Sequence, residues 1–439
     1  MTTQSTDSVV ILGAGLTGLA AAYFLTQRGY RPIVLDCPSW QDGFRLNPCD
    51  AAPVLFGCYR DTRRVLSRIK GCKPSQLGVA LPLEFAMPDG DVVTYQSAHL
   101  PGALQWMMSL FSFHGLAWQD RWALFSQLEQ IWEQAKTLPP DLESRIADEW
   151  LASIGQSPDA RGHIWAPLAQ WLTGNSTSCL SAGMFVRLLS TIFLGQAIDA
   201  RLTHLGGTIE DQFLVPIRSA LHQCGAQFRS DPLQPDLRFG PDGISEVRLQ
   251  DGSVIRARWY ISALSHKKLL PLIPERLLSR YAYFAHLNDL EMLPELGVRF
   301  TVHLEAPSPR LMLLAGRSFQ QLTIAALGER EMSCQLSGTD THALMELDQD
   351  QLLDLGRSEL RVLIPGIAQD ARLSGEIIRD DQAALSLKPG TAVYRPIHQS
   401  PIRNLLVAGA WTDTGWPANV ESAVVSAKRC AEIVASGQT

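Results

Sequence analysis

The chain has 439 residues, of which 46% are hydrophobic and 19% are charged, a composition that can bury a large core and that predicts roughly two to three domains at this length. Its formal net charge of −6 argues against nucleic acid as a main partner, because phosphate binding requires a basic face. The eight cysteines form no Cys-x-x-Cys pair and have no zinc-like spacing with histidine, so we predict no metal site and a reducing, cytoplasmic environment.

Residues 8–36 alternate between strand, turn, helix and strand. Residues 9–12 are a continuous apolar run, which is typical of a buried parallel strand. Residues 16–28 are rich in Ala and Leu and stop at Gly29, as a helix would. Residues 32–35 predict a second buried strand, and Asp36 stands at its end.

The turn between the first strand and the helix has the spacing Gly-x-Gly-x-x-Gly. Its first glycine makes the turn, its second lets a pyrophosphate approach the backbone, and its third lets helix and strand pack closely. Asp36 follows at the distance expected of an acid that accepts hydrogen bonds from ribose hydroxyls. The motif predicts dinucleotide binding but does not separate FAD from NAD. The contacts that it predicts are Gly13, Gly15, Leu16, Thr17, Gly18 and Asp36.

Residues 95–200 are helical in pattern and contain seven of the eleven tryptophans. Two interpretations stay open for these indole rings: a well-packed helical domain, or the lining of a cavity for a long apolar ligand. Residues 106–118 are apolar nearly all round and predict either a buried core helix or a segment that dips into a membrane interface. Arg60, Arg64 and Arg68 share one face of an earlier helix, which is either solvated or meets anionic lipid.

The second half of the chain returns to strand patterns and ends in a helix. Residues 419–434 predict that helix, and its N-terminus follows a Trp/Gly/Pro loop, an arrangement that suits a phosphate or a polarised flavin carbonyl. A turn at Asp251-Gly252 joins the first two predicted strands into a hairpin. The strands predicted here are residues 244–249, 254–261, 298–304, 311–314, 322–326 and 405–409.

The two ends of the chain together resemble the FAD-dependent amine-oxidase and phytoene-desaturase superfamily. Within it the chain is most similar to the hydroxysqualene dehydroxylases, also called squalene-associated FAD-dependent desaturases. The likeness runs over nearly the whole chain in the same order. Its motifs are Gly57-Cys58-Tyr59-Arg60, Trp165-x-Pro167-Leu168 with Asn175 and Ser181-Ala182, Tyr394-Arg395-Pro396, and Trp411-Thr412-x-Thr414-Gly415-Trp416-Pro417-Ala418 with Glu421.

This resemblance implies FAD rather than NAD as the tightly bound cofactor. The chain departs from the family beside the flavin, because residues 42–45 keep only one glycine and the arginine of Gly-Gly-Arg, and residues 49–53 lack the usual glycine and histidine. Ala410 replaces an acid that the family often carries. The further cofactor contacts that the resemblance implies are Arg45, Leu233 (beside the adenine), Gly409, Trp416, Pro417, Ala418, Asn419 and Val420.

The resemblance also implies a long isoprenoid whose allylic hydroxyl is removed to give squalene. Loss of water from such an alcohol leaves a delocalised cation that reduced flavin can quench with hydride, so the protein must protonate the hydroxyl and exclude water. Aromatic faces stabilise a cation, and Trp411 and Trp416 are candidates for that role, with packing beneath the last helix as the alternative. Asp413 is a candidate acid, with a solvated loop residue as the alternative.

We therefore predict an α/β fold, in which a discontinuous Rossmann-type FAD-binding domain carries an inserted α+β substrate domain. The FAD-binding domain takes residues 1–75, 205–265 and 378–439, and the substrate domain takes residues 76–204 and 266–377. Hydroxysqualene dehydroxylation is the favoured activity; a carotenoid-type desaturase and a catalytically silent FAD-fold protein that binds isoprenoids or a partner are the rivals. We expect a cytoplasmic protein with peripheral membrane contact and association with other enzymes of isoprenoid metabolism.

Overall fold

The computed structural model describes residues 8–40, 53–98, 100, 103–127, 131, 139–241, 243–303, 308–326, 331–339, 341–365, 367 and 373–437. The strands are β1 (Val9–Leu12), β2 (Ile33–Asp36), β3 (Val54–Phe56), β4 (Val79–Leu81), β5 (Leu83–Ala86), β6 (Val92–Tyr95), β7 (Leu202–His204), β8 (Gln227–Ser230), β9 (Asp236–Gly240), β10 (Gly243–Arg248), β11 (Val254–Ile255), β12 (Trp259–Ser262), β13 (Met292–His303), β14 (Arg310–Leu314), β15 (Gln321–Ala326), β16 (Glu331–Thr339), β17 (Gly375–Leu385) and β18 (Leu405–Val407).

The α-helices are α1 (Leu16–Thr26), α2 (Arg60–Ile69), α3 (Ala103–Ser112), α4 (Trp118–Ser126), α5 (Pro140–Ser144), α6 (Ala147–Ser153), α7 (Pro158–Ala160), α8 (Ala166–Thr173), α9 (Ala182–Phe193), α10 (Val215–Gln223), α11 (His266–Leu269), α12 (Glu275–Leu278), α13 (Ala282–Asn288), α14 (His342–Met345), α15 (Gln349–Leu363) and α16 (Val420–Ser436). Within the described ranges, no helix is long and apolar enough to cross a membrane.

A five-stranded sheet forms the dinucleotide-binding half of the described chain, in the order β18-β12-β1-β2-β8. Its strands pair in parallel throughout. Every residue of β1 is buried, because helices cover both faces of such a sheet and leave its central strand no contact with water. The predicted α/β fold with its Rossmann-type sheet is thus confirmed.

The first turn of this sheet follows the predicted strand-turn-helix order. Gly13 has φ 102°, a left-handed backbone that glycine adopts without steric cost, and its N–H donates to Leu35 O at 2.8 Å. Helix α1 begins at Leu16 and ends at Thr26, two residues earlier than predicted, and Gly29 reverses the chain with φ 85°. Helix α1 packs against α16 and α10, so both ends of the chain support the same sheet.

The predicted strand over residues 254–261 is wrong in one respect, because it divides between two sheets. Val254–Ile255 pairs with β10 in a three-stranded antiparallel sheet. After a short interruption, Trp259–Ser262 joins the parallel sheet between β1 and β18. The local pattern of residues 254–261 predicts extended backbone but does not show at which residue the strand changes partners.

A seven-stranded sheet, in the order β17-β13-β16-β15-β14-β5-β6, forms the second half of the described fold. One face carries Leu296, Val298 and Phe300 of β13, which pack with α15 in a core of their own. The three strands predicted at 298–304, 311–314 and 322–326 all belong to this sheet, as parts of β13, β14 and β15, although residue 304 lies outside the described ranges.

A small sheet, β3-β7-β4, joins segments from both sides of the predicted domain boundaries. Those boundaries therefore stay a prediction. Arg63 lies buried beneath this sheet, where its guanidinium donates to Thr203 Oγ1 at 3.0 Å, whereas Arg60, Arg64 and Arg68 are exposed. Arg60 pairs with Asp199 at 3.3 Å.

Candidate functional site

A deep groove opens along the carboxyl edge of the parallel sheet, at the first turn. It is lined by the predicted contacts Gly13, Gly15, Leu16, Thr17, Asp36 and Gly409, together with Trp40, Glu210, Leu214, Arg218, Ala263, Leu264, Ser265, Ala410 and Trp411. Ligands bind at this edge in doubly wound sheets because helix N-termini point there. Residues from the N-terminal part and from the C-terminal part of the chain thus line the same groove.

The residues of this groove fit a dinucleotide. A Cβ atom built on Gly15 meets nothing within 4 Å, so the space above this backbone is free for a ligand, whereas a Cβ on Gly18 would lie 1.9 Å from Gly13 O. Trp40 is 5% exposed, and its indole N–H has no hydrogen-bond partner among the residues that the structure describes. A buried donor of this kind needs an acceptor, and a bound nucleotide supplies one.

The predicted contacts Leu233, Gly18 and residues 416–420 do not line this groove. Leu233 follows the end of β8, which pairs with β2 next to Asp36; its side chain is 57% exposed and its N–H donates to Asp231 Oδ1 at 3.2 Å. Arg45 and most of the altered segment at 42–53 lie outside the described residues. Their contacts with a cofactor remain predictions.

One buried guanidinium shapes the loop that precedes the last helix. Arg395 is 5% exposed, and it donates to the carbonyl oxygens of Trp411 at 3.3 Å, Trp416 at 2.7 Å, Ala410 at 3.2 Å and Thr412 at 2.5 Å. Burial lowers the pKa of Arg395 to about 10, which still leaves it charged near neutrality. The five N–H donors of arginine suit a task that requires several carbonyl acceptors at fixed positions.

A second network fixes the same loop to the last helix. Ser426 Oγ accepts from Gly409 N at 3.0 Å and lies 3.1 Å from His398 Nε2 and 2.9 Å from Thr412 Oγ1. Burial is the main cause that lowers the pKa of His398 to about 4. The Asn419 side chain caps α16 by accepting from Ser422 N at 2.9 Å. The small residues at the start of α16 thus hold the loop by hydrogen bonds.

The Gly57–Arg60 motif and the C-terminal motif meet in space. Both carboxylate oxygens of Glu421 accept from the first turn of α2, Oε1 from Asp61 N and Oε2 from Thr62 N, each at 3.0 Å. Tyr59 Oη accepts from Asn419 Nδ2 at 3.1 Å, and the Tyr59 ring meets Trp416 edge-on at 5.4 Å. The buried Glu421 therefore accepts hydrogen bonds from the backbone N–H groups at the N-terminus of α2. It thereby links α2 to the loop before α16.

The three candidate catalytic side chains of this loop differ in their surroundings. Trp411 is 2% exposed, and its indole N–H donates to Leu264 O at 3.2 Å in the wall of the groove. Trp416 is half-buried against Tyr59. Asp413 is exposed and lines none of the cavities described below. The surroundings of Asp413 favour the solvated-loop interpretation.

A polar cavity begins where the loop enters α16. It lies between Ala418, Asn419 and Val420 on one side and the seven-stranded sheet on the other. Tyr59 and Trp171 form part of its wall, and burial raises the pKa of the Tyr59 hydroxyl well above its usual range. Its polar lining residues are Tyr59, Gln170, Thr173, Glu295, Gln320, Gln321, Thr323, Thr339 and Asn419.

An apolar cavity lies under the helical region. Its walls are apolar or aromatic, and they include Trp106, Phe113, Trp165 and Phe193. Helix α8 contributes to both cavities, through Leu168 here and through Gln170 to the polar cavity. Of the seven tryptophans, Trp106, Trp165 and Trp171 line a cavity, whereas Trp118 and Trp122 are exposed.

Sequence comparisons match residues 83–435 to the profile of flavin containing amine oxidoreductases, and residues 11–37 to an NAD(P)-binding Rossmann-like domain. The chain is 21% identical to the chloroplastic/chromoplastic 15-cis-phytoene desaturase of Solanum lycopersicum, over 97% of this chain and 77% of that protein. It is also 21% identical to the zeta-carotene desaturase of Synechocystis sp., over 98% and 97% of the two chains. Cyclohexylamine oxidase from Brevibacterium oxydans shares the fold, with a TM-score of 0.63 and 15% identity over 99% of both chains.

Proposed function

The chain belongs to the family of flavin-containing amine oxidoreductases and is an FAD-dependent oxidoreductase, and on that premise we propose that it reduces hydroxysqualene to squalene. Hydroxysqualene is a long isoprenoid that carries one allylic hydroxyl group. The proposal requires a binding site that is apolar over most of its length and polar where the hydroxyl group reacts.

One observation carries this proposal: an apolar cavity and a polar cavity share helix α8. A purely hydrocarbon substrate gives polar side chains nothing to bind, and buried polar groups without partners cost free energy. Gln321 and Thr323 nevertheless line the polar cavity beside the start of α16. A substrate with one hydroxyl group on an isoprenoid chain would place its hydrocarbon chain in the apolar cavity and its hydroxyl group in the polar cavity.

The protein's own residues would hold the cofactor and shield the reaction. The glycine turn and Asp36 would bind the pyrophosphate and the ribose, while Arg395 keeps the loop before α16 in place. When bound and reduced, FAD supplies the hydride equivalent of the reaction. The aromatic walls around Phe113 and Trp165 would exclude water from the cation that forms when the hydroxyl group leaves.

A carotenoid-type desaturase is the second candidate, and the two desaturases named above support it. Such an enzyme moves hydride from substrate to FAD and needs no leaving group. A catalytically silent protein is the third candidate, motivated by the altered sequence at 42–53. The polar side chains beside the start of α16 favour the dehydroxylase over the desaturase, because a hydrocarbon substrate has no hydroxyl group to place there.

The visible spectrum of the purified protein is the first test, and we expect the absorbance of oxidised flavin at a flavin-to-protein ratio near one. After anaerobic reduction, added hydroxysqualene should reoxidise the flavin and yield squalene. Flavin that stays reduced contradicts the proposal. Bleaching of oxidised flavin by phytoene would support the desaturase instead, and a colourless protein that cannot be loaded with FAD would support the silent candidate.

We further propose that the protein contacts the membrane from which such a substrate must come. Leu104 and Met108 of α3, with Trp118 and Trp122 of α4, are between 49% and 63% exposed. The same two helices provide Trp106, Leu110 and Leu124 to the apolar cavity. Tryptophan prefers the interface between lipid and water, so this face suits a bilayer surface and a short path into the cavity.

A further inference from the structure

Removal of a hydroxyl group as hydroxide is slow, so a dehydroxylase needs an acid beside the leaving oxygen. That acid must lie in the cavity that holds the hydroxyl group. Asp413 is exposed and lies outside the cavities. Tyr59 lines the polar cavity, but burial raises its pKa well above the usual range, which makes its hydroxyl a poor proton donor.

Glu295 contributes a carboxyl group to the described lining of the polar cavity, and no other Asp or Glu does so. It is 8% exposed and stands on β13, a strand in the interior of the seven-stranded sheet. Its strand neighbours are Thr339 on β16 and Asp380 on β17. Position on an interior strand gives a side chain a fixed direction, which catalysis requires of a proton donor.

The backbone at this point departs from regular pairing. The register between β13 and β17 shifts between Leu293 and Glu295, at Pro294. Proline cannot donate a ladder hydrogen bond, and β-bulges next to active sites redirect a side chain. The bulge coincides with the change from half-buried residues at 292–294 to the buried Glu295. Two steps along β13 correspond to four along β17 here, so the extra residues belong to β17. The ordinary alternation of β13 places Leu296 in the core on one face and the carboxyl group of Glu295 at the cavity on the other.

The other polar residues that line the described part of the cavity are neutral, and several of them bind one another, whereas Asp380 beside Glu295 on β17 is a buried acid outside this lining. Gln170 and Gln320 both donate to Thr339 O, at 2.9 and 3.1 Å, and Thr339 N donates to Gln320 Oε1 at 2.9 Å. Gln321 donates to Ser337 Oγ at 2.7 Å. These amides position a substrate hydroxyl group by hydrogen bonds, but an amide N–H does not transfer a proton at neutral pH.

We propose that Glu295 is the catalytic acid that protonates the leaving hydroxyl group, an inference that rests on the proposed dehydroxylation. The allylic C–O bond breaks with its electron pair on oxygen, the carboxyl proton of Glu295 moves to that oxygen, and water leaves. The resulting allylic cation accepts a hydride from reduced FAD, so the carbon is reduced by two electrons and the FAD is oxidised. The Glu295 carboxylate then regains a proton from solvent.

The test compares Glu295→Gln, which keeps the shape of the side chain and removes the acidic proton, with Glu359→Gln. Glu359 is also a buried carboxyl group, but it lies on α15 against the other face of the sheet and accepts from Ser318 N at 3.0 Å. Reoxidation of pre-reduced flavin by hydroxysqualene in a single turnover should slow by about 10²- to 10⁴-fold in Glu295→Gln. It should stay near the wild-type rate in Glu359→Gln.

Three further readouts separate acid catalysis from a structural role. The flavin-to-protein ratio of Glu295→Gln, and its dissociation constant for a saturated isoprenoid alcohol that cannot ionise, should both match the wild-type protein. An allylic chloride, which leaves without a proton, should restore most of the lost rate. Glu295→Asp, which keeps a carboxyl group, should be faster with hydroxysqualene than Glu295→Gln.

The outcomes distinguish this inference from the proposed function. If the wild-type protein converts hydroxysqualene and Glu295→Gln does so at the same rate, Glu295 is not the acid and the function stands. If Glu295→Gln loses flavin, or is equally slow with the alcohol and the chloride, its role is structural and the inference is overturned. If the wild-type protein leaves hydroxysqualene unchanged, both the function and the acid are rejected.

Discussion

Gly15 and Gly18 of the first turn both lack a side chain, but for different reasons. A Cβ atom on Gly15 meets no protein atom within 4 Å, and the backbone there has φ −72°, which any residue adopts. A Cβ atom on Gly18 would lie 1.9 Å from Gly13 O and 3.3 Å from Ala263 Cβ. The missing side chain of Gly15 thus leaves space for a ligand, whereas that of Gly18 lets helix α1 pack closely against Gly13 and Ala263.

Alanine should therefore have opposite effects at these two positions. Gly15→Ala should fold with a melting temperature close to wild type but with at least about tenfold weaker FAD binding, because the new methyl group enters the groove. Gly18→Ala should lower the free energy of unfolding by about 1–3 kcal/mol through overpacking. Thermal unfolding of the FAD-free proteins and titration with FAD measure the two effects. Equal melting temperatures for the two variants would contradict this assignment.

The loop between β18 and α16 illustrates how elements cooperate. Its residues make no regular secondary structure from 408 to 419, yet Trp411 and Thr412 are buried. Arg395 satisfies its carbonyl groups, and Ser426 satisfies Gly409 N. A buried loop is stable only when its backbone polar groups have partners. The sequence motif at 411–418 therefore depends on a guanidinium and a hydroxyl group from other elements.

The histidine beside this loop makes stability depend on pH. Burial lowers the pKa of His398 to about 4, below the value of about 6.5 for an unfolded chain. The unfolded state then binds the proton more readily, so His398 favours the folded state above pH ~6.5 and this stability is lost as the pH falls toward ~4. The effect amounts to roughly 3 kcal/mol for a shift of this size.

Denaturant unfolding at about pH 7 and about pH 4.5 measures this dependence. His398→Gln, which keeps a polar side chain that does not titrate, should lose less stability between these two values than the wild-type protein does. Some dependence of stability on pH should remain, because the pKa of His266 is also lowered to about 4. Burial is the main cause of that shift, and the charge of Lys267 is the second. An unchanged difference in the variant would show that His398 does not titrate in this range.

On the scale of the whole molecule, the two halves of the fold divide the task. The parallel sheet and its glycine turn form the groove that fits a dinucleotide, while the seven-stranded sheet and the helices around α8 enclose the apolar and polar cavities. The start of α16 lies at the polar cavity. The proposed path of the substrate passes α3 and α4, which expose apolar side chains.

If α3 and α4 face a bilayer, loss of their tryptophans should weaken membrane binding. The double variant Trp118→Gln/Trp122→Gln should bind vesicles of anionic phospholipid at least about tenfold more weakly than wild type, because each interfacial tryptophan contributes about 1 kcal/mol or more. Val362→Gln/Val393→Gln removes two side chains that are exposed to 60% and 72% elsewhere and should leave vesicle binding unchanged. Equal loss in both double variants would point to non-specific adhesion.

Local sequence was sufficient for the elements whose signals are short-range. Neighbouring residues encode the glycine turn, the apolar strands near 9–12 and 32–35, and the polar cap Asn419 before α16. The structure contains each of them. The resemblance to flavoproteins correctly indicated the family. Arg395 and Glu421 were visible only as parts of motifs, and the sequence analysis did not single out His398. The partners of Glu421 on α2 lie up to 360 residues away.

The sequence by itself determined the cofactor-binding fold, because a strand, a glycine turn and a helix are specified within about 30 residues. Only the tertiary structure decided which acid stands in the polar cavity, where residues 254–261 change sheets, and which tryptophans face a cavity rather than solvent. Glu295 is buried on β13 because that strand lies between β16 and β17 in the sheet, and its partner Asp380 on β17 stands 85 residues further along the chain. Pairing between distant strands is set by the packing of the whole sheet, and no local pattern contains it.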